Sequence, residues 1–491
     1  MVELTGTPEI DLATVKGRAV KGVAALTGRT FLLQIIAFFG FFLLTIFLNQ
    51  AEIGLFFAIS ELVAILGYFS DVGLAAALIQ KKEKPSVKDI RSTFTIQQIL
   101  VLNLMAIVFC LSPWLRSFYH IDQSGFFLLV SLLIGFFLAS LKTVPSVLLE
   151  RKLKFDLLVV VEIVESLLFY GLAVFLAWRG WGVSSYAWAV LARGVAGVIL
   201  IYFFCPWPIG LAFEKDSLRH LLKFGVPFQA NTFLAVIKDR LMNVFLWKIV
   251  GASGVGILGW AQKWAQMPLR FVVDAVMKVT FPAFARMQNI KEELSRAIEK
   301  TLFFVSLAVF PMLVGIALIA KPLILLIPQY GKWEIALIAL YFFLVNSAFG
   351  AITTPLTNAL NAIGRIKIVF KLMIMWTVLT WVIYPFLALK YGFNGVAAGA
   401  ALVSLSSVLA IIIAKNYLKF NFWRAVLKPA LASLMMGFFL FLATWFLKIN
   451  LWLLLTLIVS SIFFYSLLVY LMVGQPLLTD IKKLFYVFKN R

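Results

Sequence analysis

Continuously apolar runs alternate with short polar connectors along the whole chain. Fourteen of them reach roughly 20 residues, the length an α-helix needs to cross the hydrocarbon core of a bilayer. They cover 22–48, 53–79, 92–112, 125–149, 156–178, 183–205, 222–248, 254–280, 298–320, 333–361, 366–389, 394–415, 425–447 and 451–473. The runs do not alternate apolar and polar residues with period two, which excludes a β-barrel. The largest connectors, 206–221 and 281–297, leave no room for a catalytic domain outside the bilayer. The stretches 208–221 and 281–297 are amphipathic and basic, as is Leu477–Arg491, a pattern that predicts helices lying at the membrane surface.

Composition agrees with this pattern. Of 491 residues, 63% are apolar and 13% charged, against about 25% charged in soluble domains, so a soluble fold is excluded. The net charge of +22 is distributed unevenly. Connectors on the side of the amino terminus hold 29 Lys and Arg, and those on the other side hold seven. The positive-inside bias then places both termini in the cytoplasm, in a multi-pass protein of the cell (inner) membrane. The first apolar stretch is too long for the core of a cleavable signal peptide and is expected to be retained. The charge reads as topology and contact with anionic lipid rather than nucleic-acid binding.

An internal repeat is visible. Thr143-Val144-Pro145 in the fourth span recurs as Thr353-Thr354-Pro355, and the same offset maps Gly182 and Ala187 onto Gly392 and Ala397. A similar offset maps Gly54 onto Gly256. Six helices return the chain to its starting side, so the halves share one orientation, as in parallel-repeat transporters. The expected fold is all-α. It has an N-terminal segment 1–21, a six-helix lobe 22–205, a connector 206–221 and a second six-helix lobe 222–415. A helix pair 425–473 and a basic tail 474–491 complete it. Two such lobes leave a cleft whose rocking gives alternating access.

Charged residues inside the spans carry the functional signal, since each costs roughly 2.5–3.5 kcal/mol at mid-bilayer. Ten fall in the first two helices of each half: Arg29, Glu61, Asp71, Lys238, Asp239, Arg240, Lys263, Arg270, Asp274 and Lys278. On an unbroken helix Arg270 and Asp274 lie within about 20° of Lys263, forming a polar stripe that suits a hydrated cavity. The cations Arg29, Lys238, Arg240, Lys263 and Arg270 suit a phosphate or pyrophosphate. Glu61, Asp71, Asp239 and Asp274 would balance them or respond to a coupling ion. The bland alternative is mutual neutralisation between lobes, which does not need ten charges. Lys142, Glu162, Glu165 and Arg193 read as an ion-pair cluster within one lobe, with a proton or cation site as the alternative.

Nothing points to covalent chemistry. His120 and His220 sit on opposite faces, as do Cys110 and Cys205, which excludes a metal pair and a disulfide. No G-x-x-x-x-G-K-[ST] occurs, and no cofactor is expected.

Three segments carry a family resemblance: Gly73-Leu74-Ala75-Ala76-Ala77-Leu78-Ile79-Gln80-Lys81-Lys82, Leu149-Glu150-Arg151-Lys152-Leu153-Lys154-Phe155, and Leu222-Lys223-Phe224-Gly225. With the twelve-plus-two helix count, the chain resembles the polysaccharide flippases of the multidrug/oligosaccharidyl-lipid/polysaccharide exporter superfamily. That resemblance implies movement of an isoprenoid-(pyro)phosphate-linked oligosaccharide to the outer leaflet for cell-surface polysaccharide biosynthesis. It also implies alternating access around a cationic cavity, and neighbouring polymerase and glycosyltransferase partners. A cation-coupled drug antiporter of the same superfamily is the alternative, though the positive cavity disfavours it. A membrane glycosyltransferase or polymerase would need a large outer loop, which is absent.

Overall fold

The computed structural model describes residues 12–71, 73–81, 83, 85–214, 236–447 and 449–474. Side chains are described from Gly28 onward, except those of 237–239. All regular structure among the described residues is helical. Twelve stretches are long and apolar enough to cross a membrane, making this a multi-pass membrane protein. Helices suit a hydrocarbon solvent because they satisfy their backbone groups within one segment.

The chain forms two compact units, Met1–Val255 and Gly256–Arg491. The first contains α1 (Leu12–Phe47), α2 (Gln50–Asp71), short α3 (Leu74–Gln80) and α4 (Val87–Cys110). Short α5 (Ser112–Tyr119), α6 (Gln123–Arg151), α7 (Phe155–Trp178) and α8 (Ser184–Phe204) follow. Helix starts are set by polar caps. Ser86 and Asp89 form a reciprocal capping box on α4, and Asp122 accepts from the Gly125 amide at the start of α6. α6 packs on α4 and α8, and α7 on α1 and α8.

α9 (Met242–Pro268) bridges the boundary between the units. The second unit continues with α10 (Asp274–Met287), α11 (Lys291–Leu326), α12 (Leu337–Ala362) and α13 (Ile366–Leu405). It ends with α14 (Ser407–Leu418), α15 (Phe422–Phe446) and α16 (Leu451–Val473). Asn421 and Asn450 cap α15 and α16. α11 packs on α12 and α15, and α16 lies against α15 and α11. Exposed Phe203, Trp445, Trp452 and Phe463 belong to faces turned to lipid rather than water.

The repeat read in the sequence recurs in the backbone. Pro145 lies inside α6 and Pro355 inside α12, while Gly182 and Gly392 have φ of 55° and 57°. Gly392 breaks α13 between the two spans expected there, and Gly251 (φ 68°, ψ −176°) breaks α9. Only glycine adopts such angles without strain. Pro145 removes the bond that Leu141 would accept, and the Tyr202 hydroxyl of α8 donates to that carbonyl instead at 3.0 Å.

Two expectations are corrected. The surface helix expected at 208–221 is absent from its described part, because Cys205–Glu214 runs without helix along the start of α4. Pro206 and Pro208 lack amide donors, and the strap bonds to α4 side chains instead. Arg91 donates to the Pro208 carbonyl at 3.1 Å, and the Ala212 and Glu214 amides donate to Thr95 and Ser92 at 3.1 Å. Lys88 pairs with Glu214 at 3.1 Å, and Trp207 packs edge-on against Phe94. Residues 281–297 extend α10 and α11 around a short break rather than forming a separate helix. Leu477–Arg491 lies outside the described residues.

Two substitutions test this framework by thermal unfolding in detergent. Gly392→Ala, at φ 57° and ψ −140°, should cost about 1–3 kcal/mol. Tyr202→Phe should cost about 1–3 kcal/mol by stranding the Leu141 carbonyl, with little change in packing.

Candidate functional site

In the first unit, charged side chains meet across helices that are far apart in sequence. Arg29 of α1 pairs with Glu162 of α7. One turn further along α7, Glu165 pairs with Lys142 of α6 and lies 3.7 Å from Arg193 of α8. Glu150 of α6 lies within electrostatic reach of Arg29 and Glu162. Glu165 and Lys142 are the most buried members, with side chains 6% and 17% exposed. The close approach depends on Gly197 of α8, where a Cβ would overlap the Glu165 carboxylate. The ion-pair cluster expected from Lys142, Glu162, Glu165 and Arg193 therefore exists in part, and Arg29 joins it as the partner of Glu162.

A second pair lies apart from this cluster. Arg240 Nη1 donates to Glu61 Oε2 of α2 at 2.8 Å. Both side chains stay partly open, at 41% and 30% exposed. Arg240 sits in a wide turn with i→i+5 bonding at Val236–Leu241, immediately before α9. Lys238 and Asp239 share that turn, but their side chains lie outside the described residues. Asp71 is engaged locally: both carboxylate oxygens accept from the Ala75 amide, at 3.1 and 3.2 Å, as the chain turns through Gly73 into α3.

In the second unit, Lys263 of α9 lies within electrostatic reach of Arg270, and Asp274 within reach of Arg270 and Lys278. Arg270, Asp274 and Lys278 are exposed, and Arg270 Nη2 lies 3.4 Å from Gln266 Oε1. The straight stripe expected from an unbroken helix is bent. Pro268 cannot donate to the Trp264 carbonyl, and a second wide turn follows at Leu269–Val273. Such a turn takes one extra residue, rotating Asp274 and Lys278 about 100° relative to Lys263. Pro268 was the visible signal of this change in phase.

The residue pattern overlooked Arg151. Its guanidinium donates to four backbone carbonyls, those of Leu78, Ile79, Lys81 and Glu83, at 2.6 to 3.0 Å. It thus closes the carboxyl end of α3 and ties together two of the segments that carry the family resemblance. Beside it Lys81 pairs with buried Asp89 at 2.7 Å. Among the described residues, no group of three His, Cys, Asp or Glu side chains could hold a metal ion.

The sequence profile of a family described as polysaccharide biosynthesis proteins matches residues 43–334. The chain belongs to that family. Within its wider range, the lipopolysaccharide biosynthesis protein WzxC of Escherichia coli is 24% identical over 74% of this chain and 73% of its own length. The teichuronic acid biosynthesis protein TuaB of Bacillus subtilis is 22% identical over 71% of this chain and 70% of its own. Among solved structures, the lipid II flippase MurJ in an inward closed conformation superposes with a TM-score of 0.73. At 18% identity it covers 91% of this chain and 98% of its own. That likeness establishes a shared fold between this polysaccharide biosynthesis protein and MurJ.

The Lys142–Glu165 pair gives a clean test. Lys142→Met alone should destabilise the protein by about 3–5 kcal/mol in thermal unfolding, because it leaves a buried carboxylate short of its partner. Lys142→Met with Glu165→Leu should recover most of that loss. A double variant as unstable as the single one would show that the pair is not the source.

Proposed function

We propose that this protein is a flippase that carries an isoprenoid-(pyro)phosphate-linked oligosaccharide from the cytoplasmic to the outer leaflet by alternating access. Family membership supports the place in polysaccharide biosynthesis, and the fold shared with MurJ supports the transport class. The observation that carries the reading is the half-open Arg240–Glu61 pair. A guanidinium held by one carboxylate at 2.8 Å, yet partly accessible, can exchange that carboxylate for a phosphate through the same charge-assisted hydrogen bonds.

Within the first unit Arg240 is the proposed phosphate ligand, with Lys238 beside it in sequence; within the second unit Lys263 and Arg270 are a separate proposed pair. Glu61 and Asp274 return to the cations when substrate leaves. Asp239 joins this balancing set. Arg29 and Asp71 support it indirectly, since each is committed to a partner inside the first unit. The reaction is binding, reorientation and release, with no bond made or broken.

The proposed topology has fourteen spans with both termini in the cytoplasm. The breaks at Gly251 and Gly392 divide two long helical stretches, and the bias of Lys and Arg sets the orientation. Six helices form each repeat and α15–α16 are the appended pair. Glycosyltransferases that build the oligosaccharide and polymerases that consume it are the proposed neighbours.

Transbilayer movement of a lipid-pyrophosphate-linked oligosaccharide in proteoliposomes, with and without sodium or proton gradients, tests this reading. Wild-type protein should move it, and Lys263→Ala with Arg270→Ala should slow that movement at least about tenfold, the loss of one or two charge-assisted bonds. Unimpaired movement in the double variant would remove these residues from the site. Transport of cationic dyes without any lipid-linked sugar would overturn the flippase reading.

A further inference from the structure

From Ile335 to Thr479 the sequence contains no aspartate or glutamate. The same stretch holds nine Lys and Arg, and seven of them fall at 365–371 and 415–428. These two segments are not separate in space. The start of α13, the end of α14 and the start of α15 share one core with the ends of α10 and α12 and the start of α11, through Leu302, Leu356, Ala414, Leu418, Phe420 and Ala425. Their cations therefore converge on one pole of the second unit.

The positive-inside bias does not account for the missing carboxylates, because it concerns Lys and Arg and is nearly indifferent to Asp and Glu. The first-unit counterpart of 415–428 keeps an acid and uses it: Glu214 holds Lys88. At the pole of the second unit the guanidinium of Arg365 lies instead over the Tyr417 ring, 5.0 Å from its centroid. Lys428 donates to the Met472 carbonyl at 2.7 Å. Of the α11 acids, Glu299 reaches this pole but accepts there from the Asn421 amide, and Glu292 lies 3.9 Å from Arg296.

Large apolar side chains are exposed at the same helix ends: Trp423 at 66%, Ile366 at 63% and Phe370 at 52%. Indole and phenyl rings beside Lys and Arg at a span end suit the headgroup level of a bilayer, with the rings in the acyl boundary and the cations among phosphates.

We propose that Arg365, Lys367, Lys371, Lys415, Lys419 and Arg424 form a binding surface for the phosphodiester headgroups of anionic phospholipids. The surface selects anionic lipid because its cations have no carboxylate within their own stretch to turn to. An acidic protein would meet the charge but not the exposed Trp423, Ile366 and Phe370, which would stay in water around it. The orientation rests on the topology proposed above. Because the readout is lipid binding rather than flipping, failure of this proposal and failure of the flippase reading are separately visible.

The test uses the purified full-length chain, with phosphatidylglycerol and phosphatidylcholine competing for it in native mass spectrometry and in thermal-shift titration. Wild-type protein should prefer phosphatidylglycerol. Arg365→Gln, Lys415→Gln and Arg424→Gln together should lower its affinity for that lipid by about a hundredfold, at roughly fivefold per cation near an anionic surface. Arg365→Lys with Arg424→Lys should retain the preference, which separates lost charge from a misfolded surface. Arg116→Gln, Lys321→Gln and Lys390→Gln, at helix ends outside the surface, should leave it unchanged. Equal affinity for both lipids in the wild type, or an undiminished preference in the triple Gln variant, would overturn the proposal. So would binding of polyglutamate in place of lipid.

Discussion

A charge inside a bilayer has to find its counter-charge within the protein, and the first unit is arranged around that requirement. α7 sits between α1 and α8, so two carboxylates one turn apart on it reach cations on three different helices. The packing and the ion pairs constrain each other. Gly197 has no side chain because the Glu165 carboxylate needs the space, and the carboxylate is tolerated there because Lys142 and Arg193 approach it. In water such pairs contribute little to stability, whereas in hydrocarbon the unpaired alternative is far more costly.

The same solvent governs the backbone. A proline in a soluble helix leaves a carbonyl that water can reach, but Pro145 leaves one inside the membrane, and Tyr202 supplies the missing donor. At Pro268 the chain answers differently, by widening the next turn and rotating everything beyond it.

These contrasts mark the limit of what could be read from the residues. The helical spans were plain in the sequence because twenty apolar residues have one solution in lipid. The repeat was plain because Gly182 and Gly392 serve the same backbone angle in both halves. Partners were not legible. By helix number Arg29 belongs with the substrate cations, yet it meets Glu162, a neighbour that only the packing of α1 on α7 supplies. The polar stripe from Lys263 to Asp274 assumes a constant 100° per residue, which the wide turn after Pro268 breaks. The helix expected at 208–221 followed its amphipathic pattern and overlooked Pro206, Pro208 and Gly210, which favour the extended course seen up to Glu214.

That extended course has a mechanical consequence. The polypeptide leaves the first six spans along the strap at Cys205–Glu214, and Glu214 is held twice, by Ser92 through its amide and by Lys88 through its carboxylate. Tension in the chain beyond this point therefore loads the first turns of α4 before it can reach α8, with the Thr95 and Arg91 bonds as a second line of resistance. The strap is a strain relief: it separates the sixth span from whatever pulls on the connector and hands the force to the helix that begins with a capping box.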